Sequence, residues 1–346
     1  MKSQTSIFTV LTTINPPNPK VGDWKKVTRN KTIVIGDNKT PDDWTHSDCI
    51  FVNLKEQKNS KFKIAKTLNE DHYTRKNLGY LYAFEYGATK IIDTDDDNFP
   101  LIDKWNKIFE KKPDYLELKK SLDIRSKNIY SYFSDNISPF WPRGFPLDEI
   151  NSANSLIFEK DTTEPKNFTN ISLWQCMVDG DPDVDAIHRL IFKSTPRFKE
   201  RSPLIYNKNN FCAFNSQNTL WNDIAIFPLL YLPSTVTFRF TDILRSHIAQ
   251  VIMNSLSIKW GFYPPTAYQN RNDHNLMMDF ESEVSMYLKT KDLMSLLLDS
   301  VNSSISISDN LANAYNALAS RGIVKDQELN LLDQWLDDIS NYLNFA

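Results

Sequence analysis

The chain has 346 residues, 41% hydrophobic and 12% aromatic, enough to bury a large core in one domain with an appendage or in two domains. Forty basic and 43 acidic residues leave a formal net charge of −3, which argues against a nucleic-acid-binding polycation and against an acidic tail. Only eight glycines occur and neither a GxGxxG nor a P-loop pattern is present, so classical dinucleotide and Walker-type sites are not expected. Cys49, Cys176 and Cys212 lack zinc-site spacing or an even count, and read as buried reduced thiols. No leader-like or membrane-spanning stretch is found, so the expected location is the cytoplasm, with contact to a membrane surface left open.

In chain order, residues 7–14 form a β-branched run stopped by Asn15-Pro16-Pro17, a first strand whose end, Thr12-Thr13-Ile14, opens into a loop. Val21, Trp24 and Val27 have helical spacing, residues 32–36 make a second strand ended by Asp37, and Cys49 to Leu54 a third. From Tyr73 to Gly87 one face is apolar and Gly87 is a natural stop, which predicts a helix. Its first turn carries Arg75, Lys76 and Asn77, an arrangement that opposes the helix dipole unless an anion lies nearby. The strand Lys90 to Thr94 then runs into Asp93, Asp95, Asp96 and Asp97.

This alternation predicts an α/β fold: a mainly parallel, twisted sheet flanked by helices, with ligands beyond the carboxyl ends of its strands. Farther on, residues 138–147 make a rigid proline-aromatic loop around Arg143, and a second acidic cluster, Asp179, Asp181, Asp183 and Asp185, leads into a helix from Val184. Asp185 is expected to cap that helix, and its His188 reads as a structural histidine more readily than a catalytic one. Pro203 to Asn222 reads as a polar loop, Thr235 to Phe240 as a strand and Ile243 to Leu256 as a helix. Beyond residue 260 the pattern is helical, over Glu281 to Leu298 and Asn310 to Leu343. Pro264-Pro265 reads as a linker, giving a 1–259 catalytic domain and a 260–346 helical appendage.

Four carboxylates within five positions at a strand end require compensation. A hard divalent cation, Mn²⁺ or Mg²⁺, suits them and completes its shell with substrate phosphates. On an extended segment alternate side chains share a face, which selects Asp95 and Asp97 for the metal. By the same rule Asp93 shares that face and Asp96 points away. The competing reading is a solvated acidic turn or a helix cap.

Six blocks carry a resemblance: Gly36-Asp37-x-x-Thr40-Pro41-x-Asp43-Trp44, Arg75-Lys76-Asn77-x-Gly79-Tyr80-Leu81, Asp93 to Asn98, Trp141 to Pro146, Val178 to Ala186, and Phe214 to Thr219. In this order, across residues 5–255, they resemble the STELLO-type glycosyltransferase family and, more distantly, the reversibly glycosylated polypeptides, which act as UDP-arabinopyranose mutases. The resemblance implies a GT-A-like fold whose DxD-type cluster holds the metal against the diphosphate of a nucleotide sugar. Arg75 and Lys76 are then assigned to the diphosphate, with Asn77 also donor-binding and a solvated helix start as the alternative. Thr12, Thr13 and Asp37 flank nucleobase and ribose by analogy with GT-A folds, or are routine strand-end and turn residues. Asp93, by the alternation, contacts ribose or metal.

Asp181 and Asp183 are then candidates for the base on the acceptor side. Arg143 has three readings: a clamp on phosphate or a sugar carboxylate, a structural cation stacked on Trp141 or Phe145, or the counterpart of an arginine that becomes glycosylated in the reversibly glycosylated relatives. The expected activity is metal-dependent transfer of a sugar from a nucleotide-sugar donor, a UDP-sugar, to a glycan or other hydroxyl acceptor. A self-glycosylating nucleotide-sugar mutase and a non-catalytic scaffold for other glycosyltransferases are the alternatives. Homo-oligomerisation through the C-terminal helices is left open.

Overall fold

A computed structural model of the chain describes residues 5–111, 114–134, 140–167, 170–192, 197–272 and 274–343. Among these, ten strands form one mixed sheet. Its first half is parallel, in the order Cys49–Val52, Thr32–Ile35, Ile7–Thr12, Lys90–Thr94. The apolar runs in these strands are largely buried, as expected where a parallel sheet is covered on both faces. The helix Lys76–Glu85 lies on them so closely that a Cβ at Gly79 would sit 2.5 Å from Val10 Cγ1. The predicted strands and helix of this half stand where the sequence placed them, within a few residues at their ends.

The second half is mixed and departs from the sequence reading in three places. Asn218–Trp221, inside the stretch read as a polar loop, is a central strand, antiparallel to Lys90–Thr94 and to Leu173–Asp179. Its polarity is internal: the Asn218 amide donates to Met177 O and Thr266 Oγ1, and the Thr219 hydroxyl bonds Gln175 and the Asn215 carbonyl. Leu204–Tyr206, from the same stretch, pairs with Trp260–Gln269.

The alternation of Thr235 to Phe240 does not make a strand. Backbone N–H groups there are taken by side chains, Thr235 N by Glu328 and Arg239 N by Ser282, and a 3₁₀ turn covers Phe238–Phe240. Pro264-Pro265 is no linker. Both prolines lie within the strand Trp260–Gln269, which runs parallel to Leu173–Asp179 with a register shift between Tyr263 and Ala267. Such an irregularity is where a ladder tolerates residues without an N–H.

The helices Leu276–Ser300, Ile307–Ser320 and Gln327–Leu343 share a hydrophobic core with the sheet. Trp335 is fully buried against Phe84 and Tyr231, and its indole N–H donates to Pro228 O at 3.0 Å. Asp338 accepts from the backbone N–H groups of Lys63 and Ile64 at 2.8 and 3.0 Å. Of the proline-aromatic loop, Ser138 and Pro139 lie outside the described residues.

Replacing Trp335 by Ala should lower stability by about 3–5 kcal/mol, the usual cost of truncating a buried aromatic. Denaturant unfolding should remain a single transition with its midpoint shifted; a main transition left in place would show that the C-terminal helices fold separately.

Candidate active site

A cleft of about 540 Å³ opens beyond the carboxyl ends of Ile7–Thr12, Thr32–Ile35 and Lys90–Thr94, the size range of small-molecule sites. Thr12, Thr13, Asp37, Arg75, Asp95, Asp96, Asp97, Arg143 and Asp183 line it, whereas Lys76, Asn77, Asp93 and Asp181 do not.

The acidic segment is a turn rather than a continued strand, because the strand ends at Thr94 and Asn98 N reaches back to Asp95 O. The alternation rule therefore fails here, and Asp96 also faces the cleft. Its Oδ2 accepts from the Thr13 hydroxyl at 2.5 Å and from the Asn15 amide at 2.9 Å. Asp93, still within the strand, is buried with its oxygens 2.6 Å from Lys76 Nζ and 3.0 Å from Arg245 Nη2.

Asp95 accepts from Tyr73 OH at 2.8 Å and from Lys76 Nζ at 3.3 Å, both on Oδ1, and its side chain keeps 33% exposure toward the cleft. Burial pushes its carboxyl up to about 7, the nearby Asp97 adding to the effect and Lys76 opposing it. Asp97, whose Oδ2 accepts from Gln269 Nε2 at 3.0 Å and Asn272 N at 3.3 Å, is raised too, chiefly by burial.

Among the described residues no three His, Cys, Asp or Glu side chains form a ready metal cage. Asp95 and Asp97 nevertheless fit a hard cation that takes the rest of its shell from phosphate and water: they are oxygen donors, Asp97 raises the cost of charging Asp95, and Asp95 Oδ2 accepts no hydrogen bond among the described residues.

The cations at the helix start are largely committed inside the protein, with Arg75 Nη2 buried but unpartnered. Arg75 donates to Gln57 Oε1 at 2.6 Å and to Leu68 O at 3.3 Å, and the Asn77 amide pairs with both backbone groups of Leu232. Lys76 Nζ also donates to Thr94 O at 2.6 Å.

Arg143 is equally engaged. Its Nε donates to Asp183 at 3.0 Å, Nη1 to the Arg239 carbonyl and Asp242, and Nη2 to Asp242 at 3.0 Å. Burial alone would raise the Asp183 carboxyl, but the Arg143 guanidinium outweighs it and holds the group well below the usual carboxylate range. Asp181 pairs with Arg189 at 2.6 Å. Asp185 caps its helix as expected, accepting from His188 N at 2.8 Å, and His188 is buried against Phe140, Trp141 and Phe192.

Arg239, Gln269, Arg271, Asn272 and His274 also line the cleft. Arg239 is obscured in the sequence by the strand-like alternation of Thr235 to Phe240, and the other four by the linker-like Pro264-Pro265 stretch. Read as a strand, it would have placed Arg271, Asn272 and His274 at a carboxyl end, where ligand groups are expected.

The folded carboxyl of Asp95 lies above its ordinary value of 3.8, so it lowers stability as pH rises from that value through about 7. In EDTA, wild type should lose thermal stability relative to Asp95→Asn between pH 5 and 8. A difference in Tm that stays constant across this window would contradict the assignment.

Comparison with known proteins bears on the same region. The family model of the STELLO glycosyltransferases matches residues 239–346. "Probable glycosyltransferase STELLO1" of Arabidopsis thaliana is 28% identical over 355 residues, covering 97% of this chain and 44% of the relative. "Probable glycosyltransferase STELLO2" of the same plant is 26% identical over 355 residues, covering 97% and 45%. The chain thus spans less than half the length of these relatives. Among the described residues no helix is long and apolar enough to cross a membrane. Over nearly its whole length, the chain is similar to these two STELLO proteins.

Proposed function

We propose that the cleft binds a nucleotide-sugar donor, a UDP-sugar, and that the chain transfers the sugar to a glycan or other hydroxyl acceptor as a GT-A-type enzyme dependent on Mn²⁺ or Mg²⁺. One observation carries the reading: an acidic turn at the end of a parallel strand presents Asp95 and Asp97 to a ligand-sized cleft, with both carboxyl groups raised by burial. Carboxylates so placed favour a cation beside them. A sugar leaves its diphosphate as negative charge grows on the phosphate, and a divalent ion held by Asp95 and Asp97 would stabilise that charge without a proton.

The chain's own residues do the rest. Tyr73 and Lys76 fix Asp95 through Oδ1, and Gln269 and Asn272 fix Asp97. Asp96 ties the acidic turn to Thr13 and Asn15 in the loop after the first strand. Thr12, Thr13 and Asp37 border the end of the cleft assigned to nucleobase and ribose. Asp183 and Asp242 hold the Arg143 fork rigidly in the wall.

That engagement favours transfer over the mutase alternative. A guanidinium attacks a sugar only after losing a proton, and Asp183 and Asp242, outweighing burial, raise the Arg143 pKa well above its ordinary value. Incubation with UDP-sugars alone should therefore add no sugar mass at Arg143, and a mass gain there would support the mutase.

Titrating UDP-sugars with and without Mn²⁺ and following Tm should give a metal-dependent rise, about 2.7 kcal/mol of stabilisation when free ligand is a hundredfold above Kd. Asp97→Ala should keep the fold and lose the metal-dependent part together with transfer and donor hydrolysis. Full activity in a folded Asp97→Ala protein would overturn the proposal, and a wild type that binds no donor would favour a scaffold.

A further inference from the structure

Lys76 is committed and Arg75 keeps only Nη2 without a partner, so an anionic donor needs further positive charge. The geometry points to Arg239 and Arg271 as an anion-binding wall of the cleft, one that takes the anionic oxygens of the donor, either of its diphosphate or of a carboxylate on its sugar. This rests on the donor reading above.

Both arginines line the cleft and are largely buried, with side-chain exposures of 9% and 14%. Each is gripped along one edge by a carboxylate of the helix Leu276–Ser300. Glu283 takes the Arg239 Nε–H, and is itself held by Ala186 N at 2.8 Å and by Tyr287 OH. Asp279 takes Arg271 Nη2 at 3.2 Å.

Among the described residues the remaining N–H groups of the two arginines find no hydrogen-bond acceptor. Arg239 Nη2 is buried without a hydrogen-bond partner, and Asp183 Oδ1 stands 3.9 Å from it. Arg271 makes no hydrogen bond other than that to Asp279 among the described residues, and Asp181 lies 3.9 Å from its Nε. A buried guanidinium N–H without an acceptor is costly, and an arriving anion removes that cost. Burial, together with the neighbouring Arg189 and Arg239, also pulls the Arg271 pKa down, and Asp181 and Asp183 offset this only in part.

The planar fork suits phosphate and carboxylate oxygens alike, and a fork held from behind by a carboxylate is already oriented. Arg143 differs in having its donors directed at protein acceptors, and Arg75 spends Nε and Nη1 on them, with Nη2 left unpartnered. The helical C-terminal region is therefore part of the binding site, because it holds both arginines in place.

The test is calorimetric titration of the full chain, in EDTA and in Mn²⁺, with inorganic diphosphate, UDP, UDP-glucose and UDP-glucuronate. The variants are Arg271→Gln and Arg239→Lys, the second keeping the charge beside Glu283 and losing the fork. If the wall takes phosphate, both variants should bind diphosphate, UDP and UDP-glucose at least tenfold more weakly, in EDTA as well as in Mn²⁺. If it takes a sugar carboxylate, only UDP-glucuronate should weaken. Unchanged affinity for all four in a folded Arg271→Gln protein would overturn the wall while leaving the donor reading standing. A wild type that binds none of the four would overturn both.

Discussion

The ammonium group of Lys76 is the contact on which the acidic end of the sheet depends. It is fully buried, 2.6 Å from Asp93 Oδ1, 2.6 Å from Thr94 O and 3.3 Å from Asp95 Oδ1. Arg245 takes the other oxygen of Asp93 and also donates to Ser216 Oγ at 2.8 Å, which ties the helix Thr241–Ser255 to the same point. The contacts to Asp93 are short but poorly aligned as hydrogen bonds, so their strength is chiefly Coulombic. In a low-dielectric interior that attraction offsets desolvation only while every partner is present, and removing one leaves an uncompensated charge. Lys76 thus permits four carboxylates to crowd one strand end, and for the same reason it is not free to meet a substrate phosphate.

From that constraint follows the division of the cleft between distant parts of the chain. The N-terminal half supplies the carboxylates of the acidic turn, and the strand Trp260–Gln269 reaches across to hold Asp97 through Gln269. The 3₁₀ turn at Phe238–Phe240 and the residues after that strand add arginines, set by carboxylates of the long helix Leu276–Ser300. The residues matched by the STELLO family model, 239–346, therefore include one wall of the cleft as well as the helices behind it.

What the sequence disclosed was local. The strand Lys90–Thr94, the helix that precedes it and the Asp185 cap all follow from neighbours a few residues apart, through apolar period, a glycine stop and a side chain reaching its own helix. The rule that ligands gather beyond strand carboxyl ends then located the cleft. What stayed hidden depends on remote partners. The polar side chains of Asn218–Trp221 look loop-like until Met177, Gln175 and Thr266 receive them. Pro264 and Pro265 look like a break until a register shift accommodates them. The direction of the Lys76 side chain depends on Asp93 and on the Ser216 carbonyl, 140 residues away.

The proposed transfer depends on Asp95 and Asp97 receiving a metal in the presence of a nucleotide diphosphate. The most direct measurement is a manganese anomalous difference map from crystals of the chain grown with Mn²⁺ and UDP. One strong peak is expected within coordination distance of both carboxylates and of the diphosphate. A nucleotide bound in the cleft with no manganese beside Asp95 and Asp97 would contradict it.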